Sequence, residues 1–334
     1  MVLFNKTGYD PFIDFLKTYC ILVVCFCHGF PYLKEVGYPI WGGQIPLFFL
    51  IQIFHCYKRE PKSINWNMII KRIFLPFLII QILIFGMLLL TGEYESLSRI
   101  IKVCVSRGGL GPGSYYPWIF VQMAIIIPLM RPLCQKIDKC KSLFIFILIS
   151  EAIEIVCSII DLPDAIYRLL CLRYIMLIWF GWMWAKEGIK MNFTTIIISI
   201  LSLGLVIYFG YFSRSTEPWL YETGWSTHRW PCYFWVGIMF VSALYKVYVT
   251  VNKYEIVKKT TSVLASASYE IFLIQMMYYA VMQPKYFTII NSEYLKYGLW
   301  LIMALVISLS GGIGLFKFES KCIFNQKKKQ CKIS

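Results

Sequence analysis

The chain has 334 residues, of which 58% are hydrophobic, 18% aromatic and only 15% charged, against about 25% charged in an average soluble domain. The net charge of +15 would suit a nucleic-acid binder if the cations shared one soluble domain, but they sit in short loops between apolar runs. That pattern excludes nucleic acid as a partner and points to membrane topology and anionic headgroups. Most of the twelve cysteines, such as Cys20, Cys25, Cys27 and Cys157, lie within apolar runs as small hydrophobes, and no cysteine–histidine spacing reads as a zinc site.

The apolar runs predict an all-α, polytopic integral membrane helix bundle of about ten transmembrane helices in a single domain. They fall near residues 12–32, 38–56, 72–91, 115–131, 143–160, 169–186, 194–213, 231–250, 264–283 and 297–316, followed by a basic tail at about 317–334. No cleavable signal peptide is expected, because Asp14 and Lys17 interrupt the first run and no small-residue cleavage pattern follows. Placing the N-terminus inside assigns 22 of the 33 Lys and Arg residues to inner segments and nine to outer ones, so both termini are expected in the cytoplasm.

The first run carries Asp14, Lys17 and His28. Ionisable groups are costly in hydrocarbon and mark a site by default. Lys17 and His28 are eleven residues apart, which places them on one helix face ~16 Å apart along the axis, and Asp14 lies on the same stripe. The plain alternatives are a lysine that snorkels to the headgroups and a histidine that only packs. The second run contains Pro46-Leu-Phe48-Phe49-Leu-Ile-Gln52-Ile53, and a basic loop ending in Lys71-Arg72-Ile-Phe-Leu-Pro76 follows it. Residues 92–114 end in Gly-Gly-Leu-Gly-Pro-Gly. With no strand–loop–helix context this is no phosphate loop, and it reads as a flexible connection. Tyr115, Tyr116 and Trp118 then open the fourth helix, either as an interfacial aromatic belt or as a binding element.

Glu151 and Glu154 lie three residues apart on one face in the middle of the fifth run, and Arg173 in the sixth is a candidate partner. They are expected either to form a structural ion pair or to contact substrate. The outer segment 214–231 is dense in aromatic and charged groups, among them Trp219, Trp225, His228 and Arg229. Such a surface suits stacking and hydrogen bonding to sugar rings, and an interfacial belt is the other reading.

Several of these stretches together resemble the membrane acyltransferase-3 family. A basic residue, ten intervening residues and a histidine in the first helix resemble its signature, with Lys17 where members usually have arginine. Pro46-Leu-Phe48-Phe49 resembles its Pro-x-Phe-Phe segment, with Gln52-Ile53 in place of the usual Ser-Gly. Trp118 with Pro128, and Arg229-Trp-Pro231, are similar to further family elements. Ser268-Tyr-Glu-Ile-Phe-Leu-Ile-Gln275 is similar to its Ser-Tyr-x-Ile-Tyr-Leu-x-His, with glutamine for histidine.

The resemblance implies an enzyme of the bacterial cytoplasmic (inner) membrane. It would move an acyl group, usually acetyl, from cytoplasmic acyl-coenzyme A to a hydroxyl of an envelope glycan or lipid-linked saccharide. Acyl-coenzyme A would be a co-substrate, with no permanently bound cofactor and no metal. His28, Lys17 and Asp14 are then the expected catalytic residues, and Lys71 and Arg72 would bind the donor. Glu151, Glu154, Arg173, Trp118, Trp219, Trp225, His228 and Arg229 would bind the acceptor or line a pore. Membrane lipids are expected around the bundle, and a homo-oligomer is compatible with it. A non-enzymatic glycan transporter or exporter, or a structural membrane subunit, remain the alternatives at this point.

Overall fold

A computed structural model describes residues 9–30, 35–59, 64–92, 97–212, 228–287 and 292–330, with side chains to residue 321. Among them the regular structure is helical. We number the principal helices α1 (Pro11–Gly29), α2 (Gln44–Arg59), α3 (Trp66–Thr91), α4 (Leu97–Arg107), α5 (Tyr116–Gln135), α6 (Lys139–Ile159), α7 (Ile175–Glu187), α8 (Phe193–Phe212), α9 (Trp230–Val251), α10 (Glu255–Ser266), α11 (Ser268–Val281) and α12 (Glu293–Gln330). Among the described residues eight helices are long and apolar enough to cross a membrane: α1, α2 with its preceding turn, α3, α5, α6, α8, α9 and α12. The other two runs predicted to span, 169–186 and 264–283, are also helical but shorter. They form α7, entered through a 3₁₀ turn at Leu172–Tyr174, and α11, separated from α10 at Ala267.

Helix ends follow local chemistry. Asp10 caps α1 by accepting from the Phe12 N–H at 3.0 Å, and Pro11 sits at the first helical position, where its missing N–H costs nothing. Asp138 caps α6 through the N–H groups of Cys140 and Lys141. Asn192 and Thr195 form a reciprocal capping box at the start of α8.

α1 is the seam of the bundle. Phe12, Ile13, Leu16 and Cys20 pack into a core shared with α2, α5, α7 and α9, whereas Ile21, Val24 and Cys25 belong to a second core with α3, α11 and α12. Close approaches are made at glycines, as expected where lipid supplies no hydrophobic drive and association depends on fit. A Cβ on Gly312 of α12 would lie 2.5 Å from the Ile271 backbone of α11, and one on Gly181 of α7 would lie 2.5 Å from Ile53 Cγ2 of α2. Ile53 is the position where a small residue was expected and not found. The small residue stands on the facing helix instead, so the close α2–α7 contact survives.

Two segments turn back into the bundle. Gln81 lies ten residues before the end of α3, ~15 Å along its axis. Its amide donates to the Leu110 carbonyl at 3.0 Å and accepts the Leu110 N–H. The 108–115 segment therefore lies at mid-bundle depth, reached through α4, and is not the flexible outer connection that its glycines suggested. Gly108, Gly109, Gly111 and Gly113 all have positive φ, a backbone that side chains disfavour. Trp118 Nε1 donates to the Gly108 carbonyl at 2.6 Å, and Ser114 Oγ donates to the carbonyls of Arg107 and Gly109. In the same way Gln122 of α5 clamps the stretch before α7: it donates to the Leu169 carbonyl at 2.6 Å and accepts the Cys171 N–H at 3.0 Å. Irregular backbone at membrane depth survives only where the protein itself satisfies its polar groups or where it lines a cavity.

Two stability predictions follow from this packing. Gln81→Leu removes both partners of the Leu110 peptide and should destabilise the protein by about 1–3 kcal/mol. Thermal unfolding in detergent measures this, and a glutamine that merely faced lipid would give an unchanged or raised midpoint. Gly312→Val should abolish stable folding by the same assay, whereas Gly314→Val, where an added Cβ meets nothing within 4 Å, should fold normally.

Candidate active site

A cavity of about 1580 Å³ runs between α1, α2, α5 and α11. α1 and α2 are antiparallel walls, and each presents a polar stripe to it. Along α1 the stripe is Lys17, Val24, Cys27 and His28; along α2 it is Gln44, Phe48, Gln52, His55 and Arg59. Gln44 and Arg59 are fifteen residues apart, ~22 Å along the axis, so the cavity reaches through most of a hydrocarbon thickness of ~30 Å. The 110–116 stretch forms a further wall. Gly111 and Gly113 let it approach α11, where added Cβ atoms would lie 2.7 Å from the Met276 carbonyl oxygen and 2.6 Å from Phe272 Cε2.

At one end of the cavity Lys17 lies within electrostatic reach of both Arg59 and His55. Its Nζ is 3.9 Å from Asp14 Oδ1, and Asp14 also accepts from the Tyr9 hydroxyl at 2.7 Å. Asp14 thus pairs with Lys17, about four turns from His28. Ile64, Asn65 and Met68, where α3 begins, also line the cavity.

At the other end stands His28. Its ring centre is 5.8 Å from that of Tyr279, whose hydroxyl donates to the Cys25 carbonyl at 2.7 Å and so fixes the ring beside the imidazole. Among the described residues His28 has no hydrogen-bonded protein partner, which leaves both ring nitrogens for a ligand. Gln44 is 1% exposed, and its amide nitrogen donates to the Tyr38 hydroxyl and faces Cys27 Sγ at 4.0 Å. His228 and Arg168 also line this end. Burial first, and then the Arg173 guanidinium, push His228 down to about 3, so its imidazole is neutral at ordinary pH. The chain's three histidines, His28, His55 and His228, therefore all face one cavity.

Other residues singled out from the sequence lie elsewhere. Lys71 and Arg72 are exposed and do not line the cavity; Arg72 instead lies in the field of Glu270 and Glu319. Arg59 and His55 are the basic groups that join Lys17. Glu151, Glu154 and Arg173 do not line the cavity either. Glu151 accepts from Trp230 Nε1 at 2.9 Å and Glu154 from the Tyr167 hydroxyl at 2.9 Å, while the Arg173 guanidinium lies 4.8 Å from the Tyr167 ring centre. These groups tie α6, the stretch before α7 and the start of α9 together. Arg229 is buried with its guanidinium 4.9 Å from the Phe209 ring centre. Trp118 is 41% exposed and holds the Gly108 turn from outside the cavity. Gln275, where the resemblance expects histidine, is buried within α11 and does not face the cavity. Trp219 and Trp225 lie outside the described residues.

Sequence reasoning missed the α2 stripe and the two glutamine clamps. The α2 stripe was detectable: Gln52, His55 and Arg59 recur at three- and four-residue intervals, with Gln44 two turns before them, on a largely apolar helix.

No curated protein and no solved structure matches the chain. The acyltransferase-3 family model, described as an acyltransferase domain, matches residues 10–317. That match takes in both walls of the cavity, the 108–115 segment and α11. With the Lys17–His28 face turned into a passage through an all-helical bundle, the chain belongs to the membrane acyltransferase-3 family and is an integral membrane acyltransferase.

Proposed function

We propose that the protein transfers an acyl group, acetyl in the simplest case, from acyl-coenzyme A to a hydroxyl of an envelope glycan or lipid-linked saccharide at the bacterial cytoplasmic membrane. The observation that carries this reading is one cavity with cations at one end and an uncommitted imidazole at the other. The excess of Lys and Arg in the inner loops supports a cytoplasmic Lys17 mouth. Lys17 and Arg59, with His55, suit the phosphates of the donor, Lys as a point charge and Arg as a planar fork. The acyl thioester then extends up the passage towards His28.

His28 takes the proton of the acceptor hydroxyl, whose oxygen attacks the acyl carbonyl carbon. The new C–O bond forms, the C–S bond breaks, and the proton ends on the departing sulfur as coenzyme A. The Tyr279 ring holds the imidazole in place. The acceptor arrives from the His28 mouth, where His228, Arg168 and Gln44 present polar groups to it. Asp14 keeps Lys17 oriented at the donor mouth and takes no part in the proton transfer, being about four turns away.

His28→Ala should lower acyl transfer by about 10²–10⁴-fold with unchanged membrane insertion, measured by transfer of radiolabelled acyl groups from acyl-coenzyme A to envelope glycan in membranes. Near-wild-type transfer would remove the histidine from the mechanism. Lys17→Ala and Arg59→Ala should each raise KM for acyl-coenzyme A with little change in kcat, and Lys17→Arg should keep most of the affinity, because the charge is retained. Donor titrations at several ionic strengths check this. An effect confined to folding yield would reduce Lys17 to an anchor.

A further inference from the structure

The charge that faces the cavity is of one sign. Four Lys and Arg side chains line it, Lys17, Arg59, Arg107 and Arg168, and among the described residues no Asp or Glu does. Lys17 and Arg59 stand at the donor mouth, where the donor's phosphates account for them. Arg107 and Arg168 lie elsewhere and have no such role.

The backbone places both. A Cβ on Gly113 would meet Phe272 of α11, whereas one on Gly111 would meet Met276 and Ala280, further along α11 towards Tyr279. Followed back towards Arg107, the segment thus approaches the end of α11 where Tyr279 stands beside His28. α4, which ends at Arg107, packs against the Asp164–Tyr167 turn. A Cβ on Gly108 would lie 2.6 Å from Leu169 Cδ2. Arg107 and Arg168 are therefore the chain neighbours of two residues in contact, on the His28 side of the cavity.

The two guanidiniums differ in how far they are committed. Arg168 donates from Nη2 to Asp164 Oδ2, one turn earlier, and its side chain is 38% exposed. Its Nε is buried, so a ligand meets it at the Nη end. Arg107 is exposed and has no ion-pair partner among the described residues. Two guanidiniums against one carboxylate leave a positive charge over, in a passage lined mainly by apolar groups. Such a charge is costly without a counter-ion. An arginine that only snorkelled to headgroups would point away from the bundle and would not line its passage. The planar fork matches the paired oxygens of a carboxylate or a phosphate.

We propose that Arg107 and Arg168 form an anion subsite beside His28, and that the acceptor is an acidic saccharide whose carboxylate or phosphate is held there while its hydroxyl reaches the imidazole. This names the substrate class for the acyl-transfer reading and rests on that reading.

The test begins with mass spectrometry of envelope glycan and lipid-linked saccharide from cells with and without the wild-type protein. The acyl group that depends on the protein should lie on a unit that carries an acidic group. A carboxylated sugar and a phosphate-linked one are told apart by the same spectra. Acylation found only on neutral saccharide free of both overturns the proposal. With the acylated species as acceptor and acetyl-coenzyme A as donor, the wild-type KM for the acceptor should rise with ionic strength. Neither measurement needs a variant to fold. Arg107→Gln should lower kcat/KM for the acceptor by about 10–100-fold, as for the loss of a charge-assisted hydrogen bond, and should flatten the salt dependence. Arg107→Lys should recover part of the loss, because the charge is retained. The KM for acetyl-coenzyme A should not move. A folded Arg107→Gln protein with normal acceptor kinetics overturns the proposal, as does one whose defect lies in the donor KM, which would make these cations part of the donor site. If the wild-type protein consumes no acyl-coenzyme A, the acyl-transfer reading itself fails and takes the acidic acceptor with it, whereas transfer to a neutral saccharide sinks the anion subsite alone.

Discussion

A peptide group that leaves a helix at membrane depth must find its hydrogen bonds inside the protein, because lipid offers none. Two glutamines meet this requirement, Gln81 for Leu110 and Gln122 for Leu169 and Cys171. Without them the 108–115 segment and the stretch before α7 would expose unpaired backbone, and continuous helices would be the better solution. With them, non-helical chain enters the bundle, and α5 begins at mid-depth beside a cavity. The glycines set the remaining geometry, since only they hold positive φ while pressing against α11. The room for chemistry thus depends on the clamps, although neither clamp touches the reacting groups of the proposed reaction.

α1 does different work on its two faces. Its apolar residues join both cores, and its polar stripe forms one wall of the cavity, opposite α2. A charged or titratable group facing lipid would be expensive. On α1 those groups look into the cavity, so the helix carries Lys17 and His28 without that cost. The helix that carries the family signature is also the one that the rest of the bundle packs around.

Much of this was legible in the sequence. Long apolar runs report spans because burial in hydrocarbon demands them: among the described residues each expected run forms helix, and eight of the helices are long and apolar enough to cross a membrane. The eleven-residue interval from Lys17 to His28 predicted a shared face, and both residues do meet one cavity. The re-entrant segments were not legible. α4 is only eleven residues long and amphipathic, too short for a span, and a glycine-rich stretch reads the same whether it hangs in solvent or folds into the bundle. Lys71 and Arg72 show another limit: a loop's charge is visible in sequence, but whether it reaches the cavity is not, and both residues are exposed away from it. For Glu151 and Glu154 the hydrogen-bond donors are a tryptophan 79 residues on and a tyrosine 13 residues on, neither of which the helix face itself points to.

The contact between Ile53 and Gly181 couples two positions that lie far apart in the chain. The branched side chain on α2 occupies the hollow left by the missing side chain on α7. Shrinking Ile53 alone would leave a void at the helix crossing, and enlarging Gly181 alone would force the helices apart. Only a paired exchange keeps the crossing close. The fitness of either residue is therefore conditional on the other, and an evolutionary path between this arrangement and the Ser-Gly form on α2 passes through a less stable intermediate unless both sites change together.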